Sequence, residues 1–177
     1  MKTLLLLFIV SAGYFGLHSG DEYVCLPCGL ECDSKSYTNA GTCHACGMEL
    51  VKKSTVKFST IDLDEMCKRM AANPNIVLLD VRSPGEFSGS TKEVPSFGHF
   101  KNAINIHVRE LEGRIGELSK YKNSEIIVYC SHSHRSPRAS YLLGTQGFTN
   151  VKNMGGGVST FTAPYASGCL KKEFIAH

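Results

Sequence analysis

The sequence predicts an α/β fold, a mostly parallel sheet flanked by helices, preceded by a small cysteine-rich, zinc-ribbon-like module. Three observations predict it. From Val56 onward, short apolar runs alternate with amphipathic stretches, the order that builds parallel sheets. Two of those runs, NIVLLDV at 75–81 and EIIVYC at 125–130, are almost continuously apolar, as strands covered on both faces are. Five of the eight cysteines crowd into residues 25–46, a density that marks a module.

Taken in order, the chain opens on Lys2 and an apolar run from Leu4 to Leu17, followed by the small residues Ser19 and Gly20. This pattern reads as a secretory signal peptide over 1–19, because the run is shorter than the roughly 20 apolar residues a spanning helix needs. The expectation is a protein secreted across the inner membrane and working in the periplasm, membrane-bound only if the segment stays uncleaved. Cys25 stands too far from the small residues to be a lipid-anchor cysteine. Bulk charge adds little: 19 Lys and Arg against 16 Asp and Glu give +3, with no basic block of the kind that tracks nucleic acid. At 177 residues and 42% hydrophobic content, one ordinary core plus a small attachment is what the chain can bury.

Residues 22–53 form the cysteine-rich module. Cys25/Cys28 and Cys43/Cys46 are two C-x2-C pairs separated by fourteen residues, with Gly29 and Gly47 just after each pair, where the backbone turns sharply. Four thiolates on two tight turns close a tetrahedron around Zn²⁺ or another soft metal ion, so Cys25, Cys28, Cys43 and Cys46 are the expected ligands. Cys32, Asp33 and His44 are alternative ligands or neighbours of the ligands, and two disulfides are the competing reading. The segment is too short and polar to be held by a hydrophobic core, so a crosslink of one kind or the other is expected to hold it. Tyr23 before the first cysteine and the ending GTCHACGMELV resemble the small heavy-metal-binding domain attached to bacterial metal-efflux proteins. The chain departs from that pattern where CLPC puts Cys28 in the place of a histidine.

The α/β domain is expected over 57–170. STIDLDEMCKRMAAN reads as a helix capped by Ser59, with Leu63, Met66 and Met70 on one face and Cys67 beside it as a buried core thiol. The strand at 75–81 follows, then a short strand AINI, a helical VRELEGRIGELSKY and the strand ending at Cys130. Active sites in such sheets gather at the carboxyl ends of strands, where Cys130 sits. Ser136 as cap and Pro137 as first residue predict a helix from Ser136 to about Thr145. Cys130 thus lies between a strand end and the unpaired N–H groups of a helix start, with Arg135 adding charge and His132, His134 and Arg138 nearby. That field favours a thiolate, and with it a nucleophile. A cysteine ending an apolar strand is also commonly a mere core residue.

Other segments decide between those two. LLDVRSPGEF, then GHFKNAINI, then Cys130 with Arg135 and Ser136, then GFTNVKNMGGG, together resemble the rhodanese family of sulfurtransferases, in the family's order and from about Phe58 to Leu170. The resemblance implies that Asp80 and Arg82, followed by Glu86 and Phe87, are structural, and that Gly98, His99, Ala103 and Asn105 form a second motif with the histidine anchoring a turn. It implies Cys130 as nucleophile and Arg135 as its catalytic partner. Ser131, His132, Ser133, His134 and Ser136 would cradle the substrate beside the Gly155–Gly156–Gly157 turn. Cys130 to Arg135 is a loop of six residues, the sulfurtransferase length, whereas related phosphatases and arsenate reductases use one residue more. The implied reaction passes sulfane sulfur from a donor such as thiosulfate, through a Cys130 persulfide, to a thiol or cyanide, with no cofactor needed. Expected partners are a small sulfur-containing anion, a thiol acceptor and a periplasmic protein.

Departures from the family pattern are Ser133 in place of glycine, which costs the loop freedom to adopt positive φ, and an insertion at 88–97, read as a surface loop that covers the site or binds a partner. The closing aromatic is Phe161, and the chain has no tryptophan. Three other readings stand beside this one: a metal-binding or metal-sensing protein on a catalytically idle scaffold, a metal held by Cys130, His132 and His134, and a thiol–disulfide oxidoreductase pairing Cys130 with a distant thiol such as Cys169.

Overall fold

In the cysteine-rich module, β1 (Tyr23–Val24) lies between β2 (Ser36–Tyr37) and β3 (Val51–Lys52), antiparallel to both. The structure is a computed structural model describing residues 20–161 and 169–176, so the leader read at 1–19 and the stretch 162–168 lie outside the described residues. A turn of 3-10 helix at Glu31–Ser34 carries Cys32 into the module's interior. There Cys25, Cys28, Cys32 and Cys43 pack with Leu26, Met48 and Leu50, and with the half-buried Tyr23 and Tyr37. The module therefore has a small apolar core, contrary to the sequence expectation, and cysteine sulfurs supply about half of it. Its floor is the α/β domain: Phe58 and Tyr141 join the same cluster, and the Thr55 hydroxyl lies 2.9 Å from that of Tyr141.

The second unit runs β4 (Phe58–Ile61), α1 (Leu63–Ala72), β5 (Val77–Asp80), α2 (Pro84–Ser88), β6 (His99–Phe100), β7 (Ile104–Asn105), α3 (Leu111–Arg114), β8 (Glu125–Tyr129), α4 (Arg135–Thr145), β9 (Asn150–Met154), α5 (Leu170–Glu173) and β10 (Phe174–Ile175). Five of these strands make one all-parallel sheet in the order β4-β9-β8-β5-β7. The α/β class expected from the sequence is the one observed. Alternation along the strands divides the core: Val77, Leu79, Ile126, Val128 and Cys130 pack with Ala139 and Leu143 of α4. Leu78, Ile127 and Tyr129 pack on the other face with Met66 of α1 and with Phe100. Burying each large aliphatic side chain contributes about 2 kcal/mol, so the two layers hold the sheet.

Two local readings are corrected. Ser59 does not cap α1; it pairs with Lys152 inside β4, and Asp62 is the cap, accepting the Glu65 N–H at 2.8 Å. Parallel pairing with β9 claims residues 58–61, which moves the helix start to the next residue able to cap. Cys67 is not a core thiol: it is bonded to Cys169, closing a sequence separation of 102. On the chain-entropy account a loop of that length stabilises by about 4.7 kcal/mol. The bond clasps α5 and β10 to α1, and β10 then pairs with β6 while Phe174 packs against Phe100 and Phe161.

The chain leaves β5 for β7 on one side and returns to β8 on the other. The loops following β5 and β8 therefore meet at the point where the strand order reverses, the place where open parallel sheets form a crevice. Among the described residues no helix is long and apolar enough to cross a membrane.

Candidate active site

Both edges of that crevice are built by short-range signals. After β5, Ser83, Pro84 and Glu86 form a capping box: the Ser83 hydroxyl accepts the Glu86 N–H, and the Glu86 carboxylate accepts the Ser83 N–H at 3.0 Å. This fixes a buried carboxylate directly beneath the loop that follows β8. Within that loop Cys130 is 1% exposed and Ser136 fully buried, their Sγ and Oγ 3.3 Å apart. Ser136 is thus no helix cap. α4 begins one residue earlier, at Arg135, with His134 at the cap position making no side-chain cap bond. Pro137 falls in the first helical turn, where its missing N–H costs nothing.

Arg135, read from the sequence as added charge at the loop's end, is paired with an acidic side chain. Its guanidinium grips both oxygens of Glu86, at 2.6 and 2.8 Å, and reaches the Ser131 hydroxyl at 3.1 Å, while Ser131 in turn donates to Glu86 at 3.0 Å. Glu86 is the site residue that sequence reasoning missed, having been read only as part of a structural motif. The readable signal was the capping box, which buries a carboxylate that needs a cation. Burial by itself raises the Glu86 carboxyl, but the Arg135 hydrogen bonds and charge, the Ser83 N–H and the Ser131 hydroxyl outweigh it and hold it at about 2.

This pair has a pH signature. The Glu86 carboxyl lies below its ordinary 4.5, so its stabilisation is complete above that value and is lost as the pH falls from there through about 2. Urea unfolding is expected to show about 2–3 kcal/mol lost over this window, and Glu86→Gln is expected to flatten that part of the stability profile. An unchanged profile in the variant would mean that the Glu86–Arg135 pair does not stabilise the fold.

The far wall is the glycine turn. Gly157, at φ +69°, lies so close to the loop that a Cβ there would sit 2.2 Å from the Ser131 carbonyl oxygen. The Val158 N–H donates to the Cys130 carbonyl, and the Ser159 N–H and hydroxyl donate to that of Ser131. These bonds fix the loop's first two peptides. Ser133 adopts φ +61° despite its Cβ, correcting the expectation that serine would deny the loop this conformation. Its hydroxyl is buried and has no hydrogen-bond partner among the described residues.

Asp80 and Arg82 lie beneath the site, both 0% exposed. Arg82 donates to both Asp80 oxygens and to the carbonyls of Ser96 and Gly98. Asn105 closes the same turn by donating to the carbonyls of Asp80 and Arg82. Through Ser96 the insertion is anchored to the strand end, and its Phe97 ring meets His132 edge-on at 6.0 Å. His132 and His134 are exposed, with His134 Nδ1 3.0 Å from the His132 carbonyl. On the other side of Arg135 a cavity of about 710 Å³ is lined by His107, Arg109, Glu112, Arg135 and Arg138. Cys169 is engaged with Cys67 and is not available to Cys130 as a resolving thiol.

The module's sulfurs are grouped differently from the paired-motif expectation. Ligand atoms of Cys25, Cys32, Cys43 and Cys46 lie within 4.8 Å of one another, and those of Cys25, Cys28, Cys32 and Asp33 form an overlapping group. Cys28 is therefore outside the four-sulfur group, and Cys32 stands in its place. Burial pushes the Cys28 thiol up to about 12, with the nearby Asp33 and Cys32 adding to the rise. Cys43, where burial is outweighed by the N–H groups of Cys46 and Ala45 and by neighbouring thiols, is held at about 6.

A lone thiol ends a middle parallel strand of the α/β scaffold, at the start of a six-residue loop braced by a carboxylate–arginine pair. Residues 63–164 match the rhodanese-like domain family, and the chain belongs to that family. It is 33% identical over 78 residues to the thiosulfate sulfurtransferase PspE of Escherichia coli, covering 44% of this chain and 67% of that protein. Over 142 residues it is 30% identical to the adenylyltransferase and sulfurtransferase UBA4 of Candida glabrata, covering 65% of this chain and 32% of that one. Among solved structures, reduced CoADR-RHD of Bacillus anthracis superposes with a TM-score of 0.49 at 26% identity, over 67% of this chain and 18% of that chain. The chain spans less than a third of the length of several curated relatives, 27% in the case of the tRNA uridine(34) hydroxylase of Buchnera aphidicola.

Proposed function

We propose that the protein is an exported sulfurtransferase that carries sulfane sulfur on Cys130. The observation that carries this reading is the Cys130 loop itself: a single thiol against the first turn of α4, with Ser136 Oγ at 3.3 Å and no second free thiol beside it among the described residues. The Cys130 thiolate attacks the outer sulfur of thiosulfate, the S–S bond breaks and sulfite leaves with the electron pair. A cyanide or thiolate acceptor then takes the outer sulfur and returns the Cys130 thiolate. Both steps balance without a cofactor. The unpartnered N–H groups of a helix start, and the buried Ser133 hydroxyl, suit a sulfur anion or the oxyanion of its donor. The basic cavity beside Arg135 suits an anionic donor or acceptor.

Export is supported by the Cys67–Cys169 disulfide, because such bonds persist in oxidising compartments. The test of the whole reading is thiosulfate-to-cyanide sulfur transfer by the mature, reduced protein, with intact-mass measurement after exposure to thiosulfate. Gain of one sulfur atom and turnover to thiocyanate are expected. A chain that stays unmodified with thiosulfate and with a persulfide donor alike would overturn the catalytic reading in favour of a metal-binding protein on this scaffold.

Ser133 supplies a sharper check. Relief of positive φ and removal of an orphan buried hydroxyl are expected to make Ser133→Gly more stable by about 1 kcal/mol in urea. If that hydroxyl serves the donor, the KM for thiosulfate rises in the same variant. Greater stability with unchanged KM would assign Ser133 no part in binding.

A further inference from the structure

We infer that Cys25, Cys32, Cys43 and Cys46 bind one Zn²⁺-class ion as four thiolates, with Cys28 left outside as a free thiol. Nothing in the family match reaches these residues, which end at Cys46 while the match begins at residue 63. Their sulfurs come from three separate pieces of backbone, yet all lie within 4.8 Å of one another. Four sulfurs around an ion at the usual 2.3 Å stand about 3.8 Å apart, so the group closes on an ion with small adjustments. Cys32 and Cys43 are fully buried and Cys25 nearly so, and none of the four is in a disulfide.

Local geometry explains why Cys32 displaces the C-x2-C partner. The Asp33 carboxylate accepts the N–H groups of Cys28 and Gly29 at 2.9 and 2.8 Å, and the Cys28 thiol lies 3.3 Å from the same carboxylate. Cys28 is thereby turned toward Asp33, while the Glu31–Ser34 turn rolls Cys32 inward. Three buried thiols and the half-buried Cys46, packed against Leu26, Met48 and Leu50, gain most from a soft cation, and ligation fastens β1, the 3-10 turn and the Cys43–Cys46 turn together. Binding releases the remaining thiol protons to solvent as the four sulfurs become thiolates. With Cys28 3.4 Å from Cys32, a fifth sulfur stands ready at the rim of the site.

The experiment uses the full mature chain, reduced and without oxygen. It is titrated with Co²⁺, whose tetrahedral thiolate complexes absorb strongly, and then with Zn²⁺ against a chelator. One ion per chain is expected, with a four-thiolate spectrum that Cys28→Ser keeps, its Zn²⁺ affinity within about threefold of wild type. Cys32→Ser is expected to lose the thiolate-to-metal band and at least about 100-fold in affinity. Thiosulfate turnover by Cys32→Ser, or its circular dichroism if the protein has no turnover, shows that the rest of the chain is folded. If Cys28→Ser loses binding while Cys32→Ser keeps it, the paired C-x2-C site is the correct one. If no ion binds and the oxidised chain is lighter by four module hydrogens, the cysteines are disulfide formers. Either result overturns the inference.

Discussion

Cys130→Ser is expected to fold as the wild type does, to gain no sulfur from thiosulfate and to lose turnover by at least about 10³-fold. The fold survives because serine is nearly isosteric and its hydroxyl keeps the 3.3 Å contact with the Ser136 hydroxyl, so no buried polar group is stranded. Activity does not survive, because a hydroxyl is a poor nucleophile and forms no stable adduct with a sulfane sulfur. Mass and turnover must fail together if the proposed persulfide is the intermediate, so a variant that turns over without acquiring sulfur would show that Cys130 is not the carrier. Metal binding by the module is expected to be unaffected, since among the described residues the α4 side chain packed against the module's core is Tyr141, near the end of α4 away from Cys130. Equal activity in wild type and variant would remove Cys130 from the chemistry altogether.

What the sequence made legible follows from how far each interaction reaches. β5 and β8 stood out because strands covered on both faces are apolar throughout, and the sheet supplies that cover from both of its layers. Cys130 stood out because a strand end and a helix start are both local signals. The start of α1 was misplaced because Ser59 and Asp62 are both good caps, and the choice is made by β9, some ninety residues later. The Glu86–Arg135 pair joins residues 49 apart and the disulfide residues 102 apart, distances over which spacing carries no pairing information. In the module the C-x2-C spacing was read correctly as a sulfur cluster, while its membership turns on Asp33, whose capture of two N–H groups no spacing rule contains. At Ser133 the backbone accepts a cost of about 1 kcal/mol, which the surrounding bonds to the glycine turn hold in place.

The largest loss of stability from one side chain is expected at Asp80. Asp80→Ala leaves the Arg82 guanidinium fully buried with carbonyl acceptors from Ser96 and Gly98 but no counter-charge. Removing one partner of a buried ion pair costs about 3–5 kcal/mol, because the surviving charge has lost both its attraction and its water. Asp80→Asn, which keeps an acceptor of the same shape, is expected to lose less, and Arg82→Met combined with Asp80→Ala to recover part of the loss, since the buried charge is then gone. Urea unfolding of the three variants orders them. If all three lose equally, packing at the strand end and not the charge sets the cost. The same variants bear on function through the insertion. Arg82 holds Ser96, and Phe97 next to it meets His132 at the rim of the Cys130 loop. An Asp80→Asn protein that is still folded should therefore raise the KM for bulky thiol acceptors more than that for cyanide, as the rim loosens while Cys130 keeps its place. A uniform change in KM for both acceptors would disconnect the insertion from access to the thiol.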